Sequence, residues 1–344
     1  MAEQVKKTLP QLDIKTGINH SPHVVILGAG ASRACCPIGD KNGQKLPVMS
    51  DLVVKLGIED LITEAGHDPA GNFEAIYSAI SASENKIVLE RLDDAVRRYF
   101  SALVLPDEPS LYDYLVLSLR PKDLIVTFNW DPLLPQAYRR WRHLGNVLPQ
   151  IAFLHGNVDI SVDIETRRAR FTSDLGASGE GFKPSRLLYP VAVKDYNSDP
   201  FTKDQWDLAL WHMRHAYYVT VYGYSAPQTD VEARQLLLDA WKNNTTQTLA
   251  EFDVVDIAPR AAVEASWSEF IVRTHGSILD NFEHNILKLH PRRSCEAFAF
   301  ATLQQAPWHE DPFPTVNTLE GLEDWVRPIL LEEGAGLLKG EPHH

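Results

Sequence analysis

Short apolar runs recur along the chain: His23-Val-Val-Ile-Leu27, Leu124-Ile-Val-Thr-Phe128, Ile151-Ala-Phe-Leu154, Tyr217-Tyr-Val-Thr-Val-Tyr222 and Phe252-Asp-Val-Val-Asp256. Continuous rather than alternating hydrophobicity over so few residues predicts strands covered on both faces. Between the runs the period changes. From Leu89 the apolar positions Leu92, Val96, Tyr99 and Leu103 follow the three-or-four spacing, with Glu90, Arg91, Asp94 and Arg97 on the other face, which predicts an amphipathic helix. Asp131-Pro132 reads as an N-cap followed by proline at the first helical position. Ser110-x-x-Asp113, Thr202-x-x-Gln205 and Thr229-x-x-Glu232 read as capping boxes or close variants. Strands alternating with helices predict the α/β class, with a Rossmann-like parallel sheet flanked by helices.

The stretch from about 40 to 120 carries helical patterns and no strand, so it reads as a helical insertion after the first strand. The segment from about 157 to 200, with Gly176, Gly179, Gly181 and Pro184, reads as loop-rich and lid-like. The domain is expected over 22–290. Residues 291–344 form an extension with Pro307, Pro312, Pro314 and an acidic helix around Leu319 to Glu333.

Composition narrows the function classes. The 344 residues, 44 % apolar and 23 % charged, describe a folded protein of one large or two ordinary domains and exclude disordered or collagen-like readings. A net charge of −13 argues against a general electrostatic grip on nucleic acid or anionic lipid. The three cysteines, Cys35, Cys36 and Cys295, exclude a disulfide framework and cannot supply four thiolates to a structural zinc. With no leader-like N-terminus and no run of about 18 apolar residues, the expectation is a cytoplasmic protein.

Candidate chemistry clusters at the ends of the predicted strands, where open α/β sheets bind ligands. Gly28-Ala29-Gly30-Ala31-Ser32 follows the first strand, and its small residues let backbone amides approach a phosphate. Arg33 stands at the third glycine position of the dinucleotide fingerprint, and a turn that only packs strand on helix has the same pattern. In Thr127-Phe128-Asn129-Trp130-Asp131, Asn129 offers a donor and an acceptor to sugar hydroxyls or water. The alternative is that Asn129 makes a turn and Asp131 only caps a helix. His155, in Leu154-His155-Gly156, titrates near neutrality and could take a proton from a ribose hydroxyl or water; a hydrogen-bonded structural histidine fits as well. Gly223-Tyr224-Ser225-Ala226-Pro227 places amides and a hydroxyl at a further strand end. Asp256 is placed to accept hydrogen bonds from adenosine ribose hydroxyls. His212 and His215 lack a third metal ligand, and the tryptophans fall at helical apolar positions, so both sets read as packing.

Taken in order, Gly28-Ala-Gly-Ala-Ser32, Thr127-x-Asn129-x-Asp131, Leu154-His155-Gly156, Gly223-Tyr-Ser225 and Asp256 resemble the sirtuin superfamily over roughly residues 22 to 290. The resemblance is closer to the bacterial sirtuin-like NAD-cleaving proteins of antiphage defence than to protein deacetylases. It implies that Gly28, Ala29, Gly30 and Ser32 contact the NAD pyrophosphate and that Asn129 and His155 work on the nicotinamide ribose. Asp131 would lie near the carboxamide, and Gly223, Ser225 and Asp256 on the adenosine half. The deacetylases' Gly-Ile-Pro-Asp-Phe-Arg is replaced here by Cys36-Pro-Ile-Gly-Asp40, and their four-cysteine zinc ribbon is absent.

The resemblance implies an NAD glycohydrolase that releases nicotinamide and ADP-ribose, with NAD as substrate and no zinc. The alternatives are a protein deacylase or ADP-ribosyl transferase, and a non-enzymatic NAD or ADP-ribose sensor. It also implies a regulated antiphage effector working as a homo-oligomer or with a separate partner, such as a HerA-type ATPase or an Argonaute-like protein. No phosphate loop of the Gly-x-x-x-x-Gly-Lys-Ser/Thr type occurs in this chain.

Overall fold

The computed structural model describes residues 21–83, 85–176, 179–189, 196, 198–225, 230–272, 274–303, 305 and 310–334. The five apolar runs form β1 (His23–Leu27), β2 (Leu124–Thr127), β3 (Gln150–Phe153), β7 (Tyr218–Tyr222) and β8 (Glu251–Val255). With the short β9 (Ile278–Leu279) they make a six-stranded sheet in the order β3-β2-β1-β7-β8-β9. Every pairing in it is parallel. The α/β class expected from the sequence is therefore the observed one.

The lack of alternation has a direct cause. Side chains of a strand point to opposite faces in turn, and here both faces are covered. Val25 and Leu27 of β1 join one apolar cluster with Leu92, Leu115 and Trp141. Val24 and Ile26 join another with Trp206, Trp241 and Trp267. A polar residue at any of these positions would be buried.

The insertion between β1 and β2 comprises α1 (Ala29–Cys35), α2 (Leu52–Leu56), α3 (Glu59–Glu64), α4 (Phe73–Ala82), α5 (Lys86–Ser101) and α6 (Leu111–Ser118). Within α5 the buried stripe is Val88, Leu92, Val96 and Phe100, a strict four-residue step. Tyr99 is displaced to its margin, and Leu103 is buried beyond the helix end. The Ser110 capping box is present: Ser110 Oγ accepts from Asp113 N, and Asp113 Oδ2 accepts from Ser110 N.

Two local expectations need correction, and a third lies outside the described residues. Helix α7 (Leu133–Trp141) begins one residue late; Asp131 still serves its start, with Oδ1 accepting from Leu133 N at 3.1 Å. Thr202 is not a cap but lies inside α8 (Pro200–His215), where Asp199 is the N-cap and accepts both Thr202 N and Thr202 Oγ1. Aspartate before proline supplies an acceptor and a preset φ together, and outcompetes the threonine. In the third expectation, Thr229-x-x-Glu232, Thr229 lies outside the described residues, as do Ala226, Pro227 and Pro307; α9 (Val231–Lys242) has Asp230 at its N-cap position.

The segment read as loop-rich contains a second sheet. β4 (Ile160–Asp163), β5 (Arg168–Phe171) and β6 (Lys183–Pro184) pair antiparallel in the order β5-β4-β6. Its strands are short, and β5 is largely exposed with Arg168 and Arg170, so the apolar signal that reveals buried strands is missing. After it come α8, β7, α9, β8 and α10 (Arg260–Ile271). The chain closes with β9, α11 (Ile286–Leu289), α12 (Ser294–Leu303) and α13 (Leu319–Gly334). Among the described residues no helix is long and apolar enough to cross a membrane.

Candidate active site

The strand order sets where a ligand fits. From β1 the chain moves to β2 and β3 on one side, then returns to place β7 and β8 on the other. The crevice between the carboxyl ends of β1 and β7 is thus the topological switch point, the usual ligand position of open parallel sheets. Gly28 and Gly223 flank it.

These glycines are required by close contact between two backbones. Gly28 N donates to Tyr222 O at 3.1 Å and Gly30 N to Gly223 O at 2.9 Å. Gly223 has φ +58, and a Cβ there would come within 2.3 Å of Ala31 N. A Cβ at Gly28 would lie 2.6 Å from Gly223 O. The packing explanation of this turn therefore holds, and Gly30 N is already engaged by the fold. Ala29 stands exposed at the rim.

Beneath the turn lies a buried polar cluster. Thr127 Oγ1 accepts from Asn129 N at 3.0 Å, which fixes the backbone as it leaves β2. Asn129 Nδ2 then donates to Gly28 O at 2.8 Å and Ser32 Oγ at 2.9 Å. Two acceptors on one side identify that atom as the nitrogen, because a carboxamide oxygen there would face a carbonyl. Among the described residues no hydrogen bond reaches Asn129 Oδ1, so the acceptor end of the amide is the one left for a ligand. Ser32 Oγ in turn donates to Asp131 Oδ2 at 2.6 Å and lies 2.6 Å from Tyr112 Oη. Burial raises the Asp131 carboxyl above its ordinary range, opposed by the Ser32 hydroxyl. Asp131 thus acts both as helix-start acceptor and as an anchor for Ser32.

His155 sits at the end of β3, 7 % exposed. Its imidazole stands edge-on to Phe128, with centroids 4.8 Å apart, and Phe128 stacks on Tyr224 at 4.2 Å. Phe128 thereby bridges from the residue before Asn129 to the histidine and to the β7 turn. His155 Nε2 is 3.5 Å from Asp230 Oδ2. Gly156 is needed here: its φ is +74, and a Cβ would meet Arg186 O at 2.0 Å.

The other sequence candidates lie at the same sheet edge but outside this cluster. Ser225 is exposed and Asp256 half-buried; Asp256 Oδ1 accepts from Ala258 N at 2.8 Å, the bond of a simple turn. Among the described residues no hydrogen bond joins either to Asn129 or His155. His212 and His215 each bond a backbone carbonyl four residues back, as packing residues do. Among the described residues no group of three or more His, Cys, Asp or Glu could hold a metal ion.

No family model matches the chain, and no curated protein matches it in sequence. Among solved structures it is similar to a Sir2 enzyme studied for mechanism and regulation, at 16 % identity over 84 % of this chain and 94 % of that one, with a TM-score of 0.39. A Sir2 homologue in complex with NAD is similar at 13 % identity over 86 % and 95 %, TM-score 0.39. A Sir2 enzyme bound to a myristoylated histone peptide is similar at 17 % identity over 84 % and 95 %, TM-score 0.35. At such values the likeness assigns no residue a role; the roles rest on the geometry.

Sequence reasoning missed several members of the site. Tyr112 closes the Ser32–Asn129 cluster, and burial together with the charge of Asp131 keeps its hydroxyl protonated. Asn157 ties two strand ends, donating from Nδ2 to Asp131 O at 2.6 Å and Asn129 O at 3.3 Å. Asp230 and Tyr196 stand beside His155. Asn157 had a usable signal, two residues after the histidine. Tyr112 and Asp230 had none, because helix starts far apart in sequence bring them in. A cavity of about 520 Å³ lies elsewhere, against the outer edge of β3, with Phe153, Phe171, Phe201 and Arg170 in its wall and none of the candidate residues.

Proposed function

We propose that this protein is a sirtuin-like NAD glycohydrolase, cleaving the bond between ribose and nicotinamide. The observation that carries the reading is one arrangement at the switch point: a backbone-only turn, an asparagine held by its nitrogen with its oxygen unbonded among the described residues, and a histidine beside a carboxylate. In this reading Gly28, Ala29, Gly30 and Ser32 cradle the pyrophosphate, and Gly223, Ser225 and Asp256 meet the adenosine half. Asp131 holds Ser32 and lies toward the carboxamide.

The chemistry follows from the charge that develops. As the glycosidic bond breaks, its electron pair moves onto the pyridinium nitrogen, neutral nicotinamide leaves, and the ribose becomes oxocarbenium-like. Asn129 Oδ1 orients a ribose hydroxyl or the attacking water. Water oxygen bonds to the anomeric carbon, and its proton passes to His155 and then to solvent. ADP-ribose, nicotinamide and one proton result. A regulated, self-assembling antiphage effector in the cytoplasm, acting with or without an ATPase or Argonaute-like partner, fits such chemistry because uncontrolled NAD loss harms the host.

The test is NAD consumption by the purified chain with chromatographic identification of products. Asn129→Ala and His155→Ala are each expected to lower turnover by about 10²- to 10⁴-fold with the fold retained. Wild-type turnover in both variants would refute the assignment. Nicotinamide release that depends strictly on an acylated peptide would favour a deacylase instead.

A further inference from the structure

Among the described residues, Asp230 meets three side chains from separate parts of the chain. Tyr196 Oη donates to its Oδ1 at 3.2 Å and Tyr224 Oη to its Oδ2 at 3.4 Å. His155 Nε2 approaches the same Oδ2 at 3.5 Å. All four side chains are buried, Asp230 being 6 % exposed. The Tyr196 ring lies nearly parallel to the imidazole, 10° between planes. Phe128 touches both His155 and Tyr224. A buried carboxylate is costly unless paired and hydrogen-bonded, so such convergence at the N-terminal turn of α9 has a purpose beyond capping; no side-chain cap bond is made there.

We propose that Asp230 is a positioning residue for His155, held by Tyr196 and Tyr224 so that its carboxylate fixes the imidazole's orientation and stabilises the imidazolium formed on proton uptake. The inference rests on the glycohydrolase reading above and deepens it. An opposite charge within a few ångströms favours the protonated ring, and the carboxylate lies on the Nε2 side of the imidazole, 3.5 Å away. The tyrosines suit this role as donors only. Burial first, and the Asp230 charge second, drive both hydroxyls far above the ordinary tyrosine range. Glu232 acts on Tyr196 and Glu74 on Tyr224 in the same direction. Of these carboxylates, Asp230 is the one that approaches the histidine, at 3.5 Å.

The test separates this inference from the reading beneath it by using two measurements. The first needs no activity: NMR titration of the His155 ring, assigned by its loss in His155→Ala, in the wild-type chain, Asp230→Asn and Tyr196→Phe. Asp230→Asn is expected to lower the imidazole pKa by about one unit or more. Tyr196→Phe is expected to shift it in the opposite direction, by releasing the carboxylate from a competing donor; it also serves if Asp230→Asn does not fold. The second is the pH profile of NAD turnover, in which Asp230→Asn moves the acidic limb down in pH and lowers kcat at least about tenfold with little change in KM. An unmoved imidazole pKa in both variants overturns the proposal whether or not NAD is consumed. Absence of both NAD turnover and NAD binding in the wild type, with the imidazole shift intact, overturns the glycohydrolase reading alone.

Discussion

Replacing Gly223 by alanine tests the close approach of the two glycine turns. The backbone there is left-handed, φ +58, and the new Cβ would lie 2.3 Å from Ala31 N and 2.5 Å from the Gly30 carbonyl carbon. Two costs add. A non-glycine residue in the left-handed region costs about 1–2 kcal/mol, and forcing a methyl into packed backbone costs a further ~1–3 kcal/mol. Gly57 provides the matched control: φ is +63, and nothing lies within 4 Å of its Cβ position, so Gly57→Ala bears the first cost only. Urea unfolding at constant m should therefore show Gly223→Ala less stable than Gly57→Ala by about 1–3 kcal/mol. The same variant should bind NAD more weakly, because relief of the clash displaces the Gly28–Ser32 turn. Equal destabilisation of the two variants would refute the contact, and unchanged NAD affinity would separate the turn from the cofactor.

Two further outcomes follow from buried charge. Burial, reinforced by the neighbouring Asp253, pushes the Glu251 carboxyl up to about 8. A group bound to its proton more tightly when folded contributes stability that is lost as pH rises from its unfolded value toward the folded one. The urea midpoint should therefore fall between pH 4.5 and 8 and fall less in Glu251→Gln; parallel pH profiles would contradict the assignment. Arg292, just before α12, is fully buried and donates to Leu119 O at 2.7 Å, Val147 O at 3.0 Å and both Glu333 oxygens of α13. Arg292→Met should cost about 3 kcal/mol, moderated because Arg293 also meets Glu333, and a cycle with Glu333→Gln should be non-additive. Additive effects would mean that the pair is not coupled.

Legibility differed between sheet and site. The five longer strands of the main sheet were readable because each carries its own signal: a short, largely apolar run, dictated by cover on both faces. The β4–β6 sheet was not, since Arg168 and Arg170 of β5 are exposed and exposed strands need no apolar pattern. That Gly28, Asn129, Asp131 and His155 gather at one edge was legible because parallel strands deliver their carboxyl ends there. Tyr112, Asn157 and Asp230 escaped because an ordinary helix-start or loop residue gives no local sign of what it will face.

The sequence by itself determined the α/β class, the five longer strands of the main sheet and the edge at which polar residues collect, since burial periodicity and strand direction are local or nearly so. Tertiary structure alone decided the chemistry of each residue. The Asn129 amide nitrogen is held by Gly28 O from the end of another strand, and His155 faces Asp230 seventy-five positions away in sequence. Hydrogen bonds and charge act over a few ångströms, and only the crossing of the chain at the β1–β7 switch point brings those atoms within that range.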